Sequence, residues 1–235
     1  MLLPLERILH NQGFGTRRAC AQLIRSGCVG VGGNTCCDPD VRFECLGLTF
    51  EVAGETWRYR EFAYLALHKP AAYECSTRPT HHASVFALLP GPLVTRGVQS
   101  VGRLDADTTG LLLFSDDGQF IHRLASPRHR VNKVYEVATS DPVDSAQVQA
   151  LLAGVVLRDD PAPVRAVACE QLDTRQLRLT IAEGKYHQVK RMVAAVGNRV
   201  CGLHRTAIGE FVLSATLEPG QWMWMEDDVV DRLRG

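Results

Sequence analysis

The spacing of apolar residues changes character about a quarter of the way along the chain, and no single regular pattern satisfies both parts. In the first part Leu5, Ile8 and Leu9 recur at helical spacing until Gly13-Phe14-Gly15 interrupts them. Thr16 then offers a side-chain oxygen as the cap of a second helix, with Cys20, Leu23 and Ile24 on its apolar face. Gly27 stands where a helix end wants left-handed backbone. Cys28-Val29-Gly30-Val31 reads as a short strand and Gly32-Gly33 as a tight hairpin turn. Gly54-Glu55-Thr56, between apolar segments, is the candidate end of this module. A unit this small is marginal alone, which predicts that it is tethered to something larger.

From Phe62 onward the pattern is one of strands with interspersed helices. Strands are expected at Tyr64 to Leu67, Leu111 to Phe114, Val134 to Ala138 and Leu177 to Ile181, the last with clean period-two alternation. Helices are expected at Ser145 to Ala153, capped by Asp144, and at His187 to Val196, where Val189, Met192, Val193 and Val196 share a face and Gly197 follows. With 235 residues the chain can hold two cores.

Hydrophobic residues make up 46% and charged residues 22%, which excludes extended disorder. No apolar run approaches the ~18 residues of a membrane span, and the start Met1 to Arg7 lacks the basic and apolar regions of a signal peptide. A soluble cytoplasmic protein is the expectation. The eight cysteines are then free thiols rather than a disulfide framework, and Cys20 to Cys45 lack the paired spacing of a zinc site.

Lys plus Arg and Asp plus Glu are both 26, so only local charge is informative. Residues 1–35 carry Arg7, Arg17, Arg18 and Arg25 against Glu6 alone. Residues 122–133 carry Arg123, Arg128, Arg130 and Lys133 with no acid, and residues 183–205 carry five cations against Glu183. Such clusters suit phosphate contact, although a solvated face gives the same pattern. Arg17 and Arg18 sit in a first helical turn, where cations oppose the helix dipole; an external anion accounts for them better than helix stability does.

Three segments could carry chemistry. Gly102-Arg103-Leu104-Asp105-Ala106-Asp107-Thr108-Thr109-Gly110 places two acids, an arginine and two threonines between apolar segments, where a scaffold presents reactive groups. The same residues could form an ordinary self-bonded loop, or Asp105 and Asp107 a divalent-metal pair. Ser126 to Arg130 is basic and leads into Lys133-Val134-Tyr135, where a tyrosine among cations can stack a nucleobase; a core tyrosine is the plainer reading. In Glu183 to Met192, His187, Lys190 and Arg191 lie beside the apolar helix face. They can reach a cleft, where a lysine would keep a nearby aspartate ionised, or they can simply face solvent. No nucleophile elbow, zinc-protease, phosphate-loop or dinucleotide signature is present.

Gly-Arg-Leu-Asp-x-Asp-Thr-Thr-Gly-Leu-Leu-Leu at Gly102, Ser-Pro-Arg-His-x-x-x-Lys-x-Tyr at Ser126, and Glu-Gly-Lys-Tyr-His-Gln-Val-Lys-Arg-Met at Glu183 resemble the RsuA-type pseudouridine synthases, which isomerise uridine in ribosomal RNA. The likeness spans nearly the whole chain. It implies an α+β fold: residues 1–58 as an S-four-like RNA-binding module, residues 59–235 as a catalytic domain with a mixed or antiparallel sheet. It also implies Asp105 as nucleophile, Tyr135 stacked on the extruded uracil, Lys190 as the basic partner of Asp105, and Arg103 on the flipped nucleotide or its phosphate. Lys69-Pro70 matches a family segment near the active-site sheet, with Ala72 where glycine is usual.

RNA contacts are accordingly expected from Arg17, Arg18, Arg25, Arg103, Arg128, Lys133, His187 and Arg191, with no cofactor and no metal. Lys69 to Thr77 and the Asp-Asp-Gly at Asp116 are most like the small-subunit branch, so 16S rRNA or a small-subunit assembly intermediate is the expected substrate and a monomer the expected state. The alternatives are a 23S rRNA pseudouridine synthase, a non-catalytic rRNA-binding assembly factor, and a metal-dependent phosphodiesterase using Asp105 and Asp107.

Overall fold

A computed structural model of the chain describes residues 1–158 and 160–234. Its contacts form two compact units, one of Met1–Ala63 with Leu89–Gln99, the other of Tyr64–Leu88 with the chain from Ser100 onward.

In the first unit, helices Leu5–Asn11 and Arg17–Arg25 bury Leu5, Ile8, Leu9, Cys20 and Ile24. Their core is completed by Val29, Phe50 and Val52 from an antiparallel sheet ordered Asn34–Cys36, Val29–Val31, Thr49–Val52, Glu55–Arg58. Thr16 caps the second helix by accepting from the Ala19 N–H at 3.2 Å. Gly32 and Gly33 both take positive φ in the hairpin turn. Gly54 also turns a hairpin, with φ +85, so the module continues through Glu55–Arg58 instead of ending at Gly54 to Thr56.

Nor is the first unit contiguous in sequence, as an undivided 1–58 would be; it takes in Leu89–Gln99. Gly13 shows why. A β-carbon there would lie 2.0 Å from the Pro92 carbonyl oxygen, so only glycine lets this segment pack so closely. Arg96 then donates to the Gln12 side chain at 3.2 Å and to the Glu61 carbonyl at 3.0 Å.

The second unit is built on a mixed sheet ordered Ala168–Asp173, Gln176–Ile181, Lys133–Thr139, Val200–Ile208, Thr109–Ser115, Tyr64–Lys69, Trp222–Trp224. Neighbours along it are antiparallel except Val200–Ile208 and Thr109–Ser115, which run parallel. Leu111 to Phe114 are buried on both faces, as the unbroken apolar run requires of a central strand. Helix Ser145–Ala153 has the expected Asp144 cap, extended by Gln147 into a capping box. Helix Gln188–Ala195 buries Val189, Met192 and Val193. Asp117 caps helix Gly118–Ala125 and also accepts from the Tyr64 hydroxyl at 2.8 Å and Arg234 at 2.7 Å. All eight cysteines are free, and among the described residues no helix is long and apolar enough to cross a membrane.

Candidate functional site

The loop before strand Thr109–Ser115 is fixed from below. Lys69 is fully buried, and its ammonium donates to the carbonyls of Pro70 at 3.0 Å, Ala106 at 3.1 Å and Thr108 at 2.8 Å. Burial holds its pKa below the ordinary lysine value. Ala72 donates its N–H to the Ala106 carbonyl at 2.8 Å and adopts φ +62 to do so, a conformation that costs a non-glycine residue about 1 kcal/mol. The turn usual for glycine is therefore kept with alanine. At the end of the loop Gly110 pairs with Arg205, and a β-carbon on Gly110 would lie 2.3 Å from the Arg205 carbonyl oxygen.

Asp105 emerges from this clamped loop between Lys190 and His187 of the neighbouring helix start. Its Oδ2 is 3.0 Å from the Lys190 ammonium and its Oδ1 is 3.1 Å from His187 Nε2. The carboxylate is 29% exposed, enough to be reached and too little for bulk water to screen it fully. His187 precedes helix Gln188–Ala195 with φ +49, and Tyr186 stacks on its ring at 3.8 Å. Lys190 is shared. It also lies 2.7 Å from Asp107, whose pKa it lowers, and although burial works against its charge the two aspartates hold its own pKa above normal.

Opposite stands a wall of different character. Strands Lys133–Thr139 and Val200–Ile208 pair Tyr135 with Arg205, just past a bulge between Val134 and Tyr135. Paired residues share a face, and bulges next to sites re-aim side chains. Arg205 is 2% exposed; it donates from Nε to the Leu111 carbonyl at 2.8 Å and from Nη1 to the Tyr135 hydroxyl at 3.5 Å. Lys133, on the same face as Tyr135, donates to the Val131 carbonyl at 2.9 Å. Burial, with Arg205 nearby, pulls its pKa down to about 8.

Both walls line one cavity of about 120 Å³, together with Arg103, Leu104 and Gly184. Of the residues singled out from sequence, it gathers Asp105, Tyr135, Lys190, Arg103, Lys133 and His187. Arg128 lies outside it on an exposed turn, and Arg191 lines an adjacent depression, donating to the Tyr186 carbonyl at 3.3 Å. Arg17, Arg18 and Arg25 are exposed on a helix of the first unit. Asp105 and Asp107 converge on Lys190, and among the described residues no three acidic, histidine or cysteine side chains form a metal-binding group.

Two site residues had weaker sequence signals. Arg205 counted only as one charge in a basic window, because its pairing with Gly110 and Tyr135 spans 95 and 70 positions of chain. Lys69 was legible as part of Lys69-Pro70, but its hold on the loop is a tertiary contact.

A family model described as RNA pseudouridylate synthase matches residues 63–195. The chain is 38% identical over 227 residues to the ribosomal small subunit pseudouridine synthase A of Haemophilus influenzae, covering 96% of this chain and 97% of the relative. It is 42% identical over 167 residues to the protein of that name from Escherichia coli K12, covering 71% and 72%. A crystal structure of a pseudouridylate synthase superposes with a TM-score of 0.70 at 35% identity, covering 98% of this chain and 99% of that one.

Proposed function

Since the chain belongs to the RNA pseudouridylate synthase family, we propose that it isomerises a uridine of small-subunit ribosomal RNA to pseudouridine, with Asp105 as the nucleophile. The observation that carries the reading is the position of Asp105: partly sheltered, paired to Lys190 and His187, and at the edge of a cavity that also holds Tyr135.

A uracil in folded RNA must be swung out to be reached, at a cost of a few kcal/mol that stacking and phosphate contacts offset. Tyr135 supplies the stacking face, and Arg103, exposed at the mouth, takes the phosphate of the flipped nucleotide. The bond between ribose C1′ and uracil N1 then breaks, the base turns, and C1′ bonds to C5. The C5 proton leaves to a base, for which Tyr135 is the candidate, and N1 gains a proton, so atoms balance without oxidant, water or cofactor. Lys190 and His187 hold Asp105 in the geometry of attack, while the loop clamp at Lys69 keeps its backbone from yielding. Arg17, Arg18, Arg25, Arg128 and Arg191 extend contact to RNA outside the cavity. A monomer working in the cytoplasm, on 16S rRNA or a small-subunit intermediate, fits this chemistry.

The test is Asp105→Asn, which keeps shape and removes the charge. Pseudouridine formation, mapped on rRNA by carbodiimide adducts, falls by more than about 1,000-fold while RNA affinity stays within a few-fold. Normal turnover by this variant defeats the reading.

A further inference from the structure

The two walls of the cavity differ in one respect that the roles above leave unexplained. Asp105 and Asp107 are matched by Lys190 and His187, whereas Arg205 and Lys133 have no carboxylate within ion-pair distance among the described residues. Arg205 Nη2 is buried and has no hydrogen-bond partner among the described residues. A buried guanidinium with an idle donor is costly in a folded chain, and each such group calls for an explanation. It is not a packing accident at the periphery: Nε is fixed on Leu111, Nη1 on Tyr135, and the guanidinium carbon is 6.0 Å from the centre of the Tyr135 ring, the surface assigned above to stacking. The guanidinium thus stands beside the Tyr135 ring, and Arg205 lines the cavity that a stacked uracil would enter.

The reaction supplies what Nη2 lacks. On attack at C1′, the Asp105 carboxylate bonds to C1′ as the C1′–N1 electron pair goes to the base, whose negative charge spreads over N1, O2 and O4, and the carboxylate is released again when C5 bonds to C1′. The same pair of electrons is returned through C5 when the new bond to C1′ forms, and proton loss at C5 with proton gain at N1 closes the balance. Resting on the proposed isomerase reading, we propose that Arg205 donates to a carbonyl oxygen of the flipped uracil and, with Lys133 as a second cation, stabilises the anionic base between detachment and reattachment. The arrangement also retains the loose base, since it binds the charged fragment more tightly than the neutral nucleotide. Preorganised donors aimed at developing charge act most strongly where water is excluded, and the loss of one such donor slows reactions by about 100- to 1,000-fold.

The experiment compares Arg205→Lys and Lys133→Met with the unmodified enzyme in single-turnover reactions, on RNA carrying uridine or 5-fluorouridine at the target. Fluorine stabilises the anionic base by itself, so the need for protein cations falls. On uridine each variant should lose about 100- to 1,000-fold in rate with RNA affinity within about threefold. Consumption of 5-fluorouridine should suffer at least about tenfold less than that. Equal deficits on the two substrates, or uridine rates near normal in both variants, overturn the proposal. Circular dichroism identifies a misfolded Arg205→Lys, in which case Lys133→Met decides by the same criterion. An unmodified enzyme that forms no pseudouridine sinks the isomerase reading itself, a result separate from selective failure of the variants.

Discussion

Arg17, Arg18 and Arg25 on the first unit and Lys133 and Arg205 in the second are cations without acidic partners among the described residues, but they stand in opposite surroundings. The three arginines are exposed on one helix, where water and salt screen each charge and where an arriving phosphate gains mostly from counterion release. The two pocket cations are half or wholly buried, where screening is weak and one hydrogen bond to a charged group decides a rate. Under the proposed function, burial would divide identical chemistry into a binding role and a catalytic one. Removing exposed charge should alter affinity and its salt dependence; disturbing buried charge should alter turnover.

The comparison is most severely tested at Gly110. Replacement by alanine forces a side chain into φ +101 and against the Arg205 backbone, so both strain and displacement follow. Gly110→Ala should cost about 3 kcal/mol or more in urea unfolding and remove activity. Gly197→Ala is the control: φ is +80 but no atom lies within 4 Å of the new carbon, so it should cost about 1 kcal/mol and leave turnover intact. Equal losses at both glycines would show that the close approach to Arg205 does not matter.

Next in size is the combined Arg17→Ala, Arg18→Ala, Arg25→Ala variant. RNA affinity should fall by ~10- to 100-fold, and the slope of log affinity against log salt should shrink by about 2 to 3. Single-turnover rate at saturating enzyme should not change. A loss of rate instead of affinity would erase the division by burial.

Lys133→Met sharpens the same contrast through stability. The folded-state pKa of Lys133 is about 8 against an ordinary 10.5, so its buried charge costs stability in full below pH 8. That cost fades as pH rises toward 10.5 and is absent above it. The methionine variant, although slowed in catalysis, should melt about 2–4 °C higher at pH 7, the shift that ~1 kcal/mol produces in a chain of this size. The gain should shrink as the melt is repeated at higher pH; a gain independent of pH would mean that methionine merely packs better.

How much of this was legible follows from the range of the interactions. Helix caps at Thr16 and Asp144 and the apolar stripe of Val189, Met192 and Val193 are local, and they were readable position by position. The three motif segments were recognisable, yet that Asp105, Lys190 and Tyr135 meet at one cavity depends on strand order, which brings residues 110, 135 and 205 side by side. Gly54 was legible as punctuation but not as a hairpin within the module, because a turn and a boundary use the same residues. The acids Glu226, Asp227, Asp228 and Asp231 near the end of the sequence raised no expectation of structure. Asp227 and Asp228 prove to begin helix Asp227–Arg234, where negative charge favours the N-terminus, and that helix buries Val230 and Leu233 in the core.

The smallest effect bears on why Arg17 and Arg18 occur where they do. Both lie in the first turn of helix Arg17–Arg25, where the peptide dipoles present positive charge, and Thr16 already satisfies the Ala19 N–H. Neither arginine has an acid within ion-pair distance among the described residues, so nothing there offsets that repulsion. Changing both to alanine should therefore stabilise the protein, by about 0.3–0.5 kcal/mol per position at low ionic strength. The gain should disappear in 1 M salt, where the screening length falls to about 3 Å. Measured as a urea midpoint, a stabilised variant that binds RNA less well shows that these charges serve the ligand at the expense of the helix. A destabilised one shows that the arginines support the fold directly, and the separation between binding cations and catalytic cations would have to be redrawn without them.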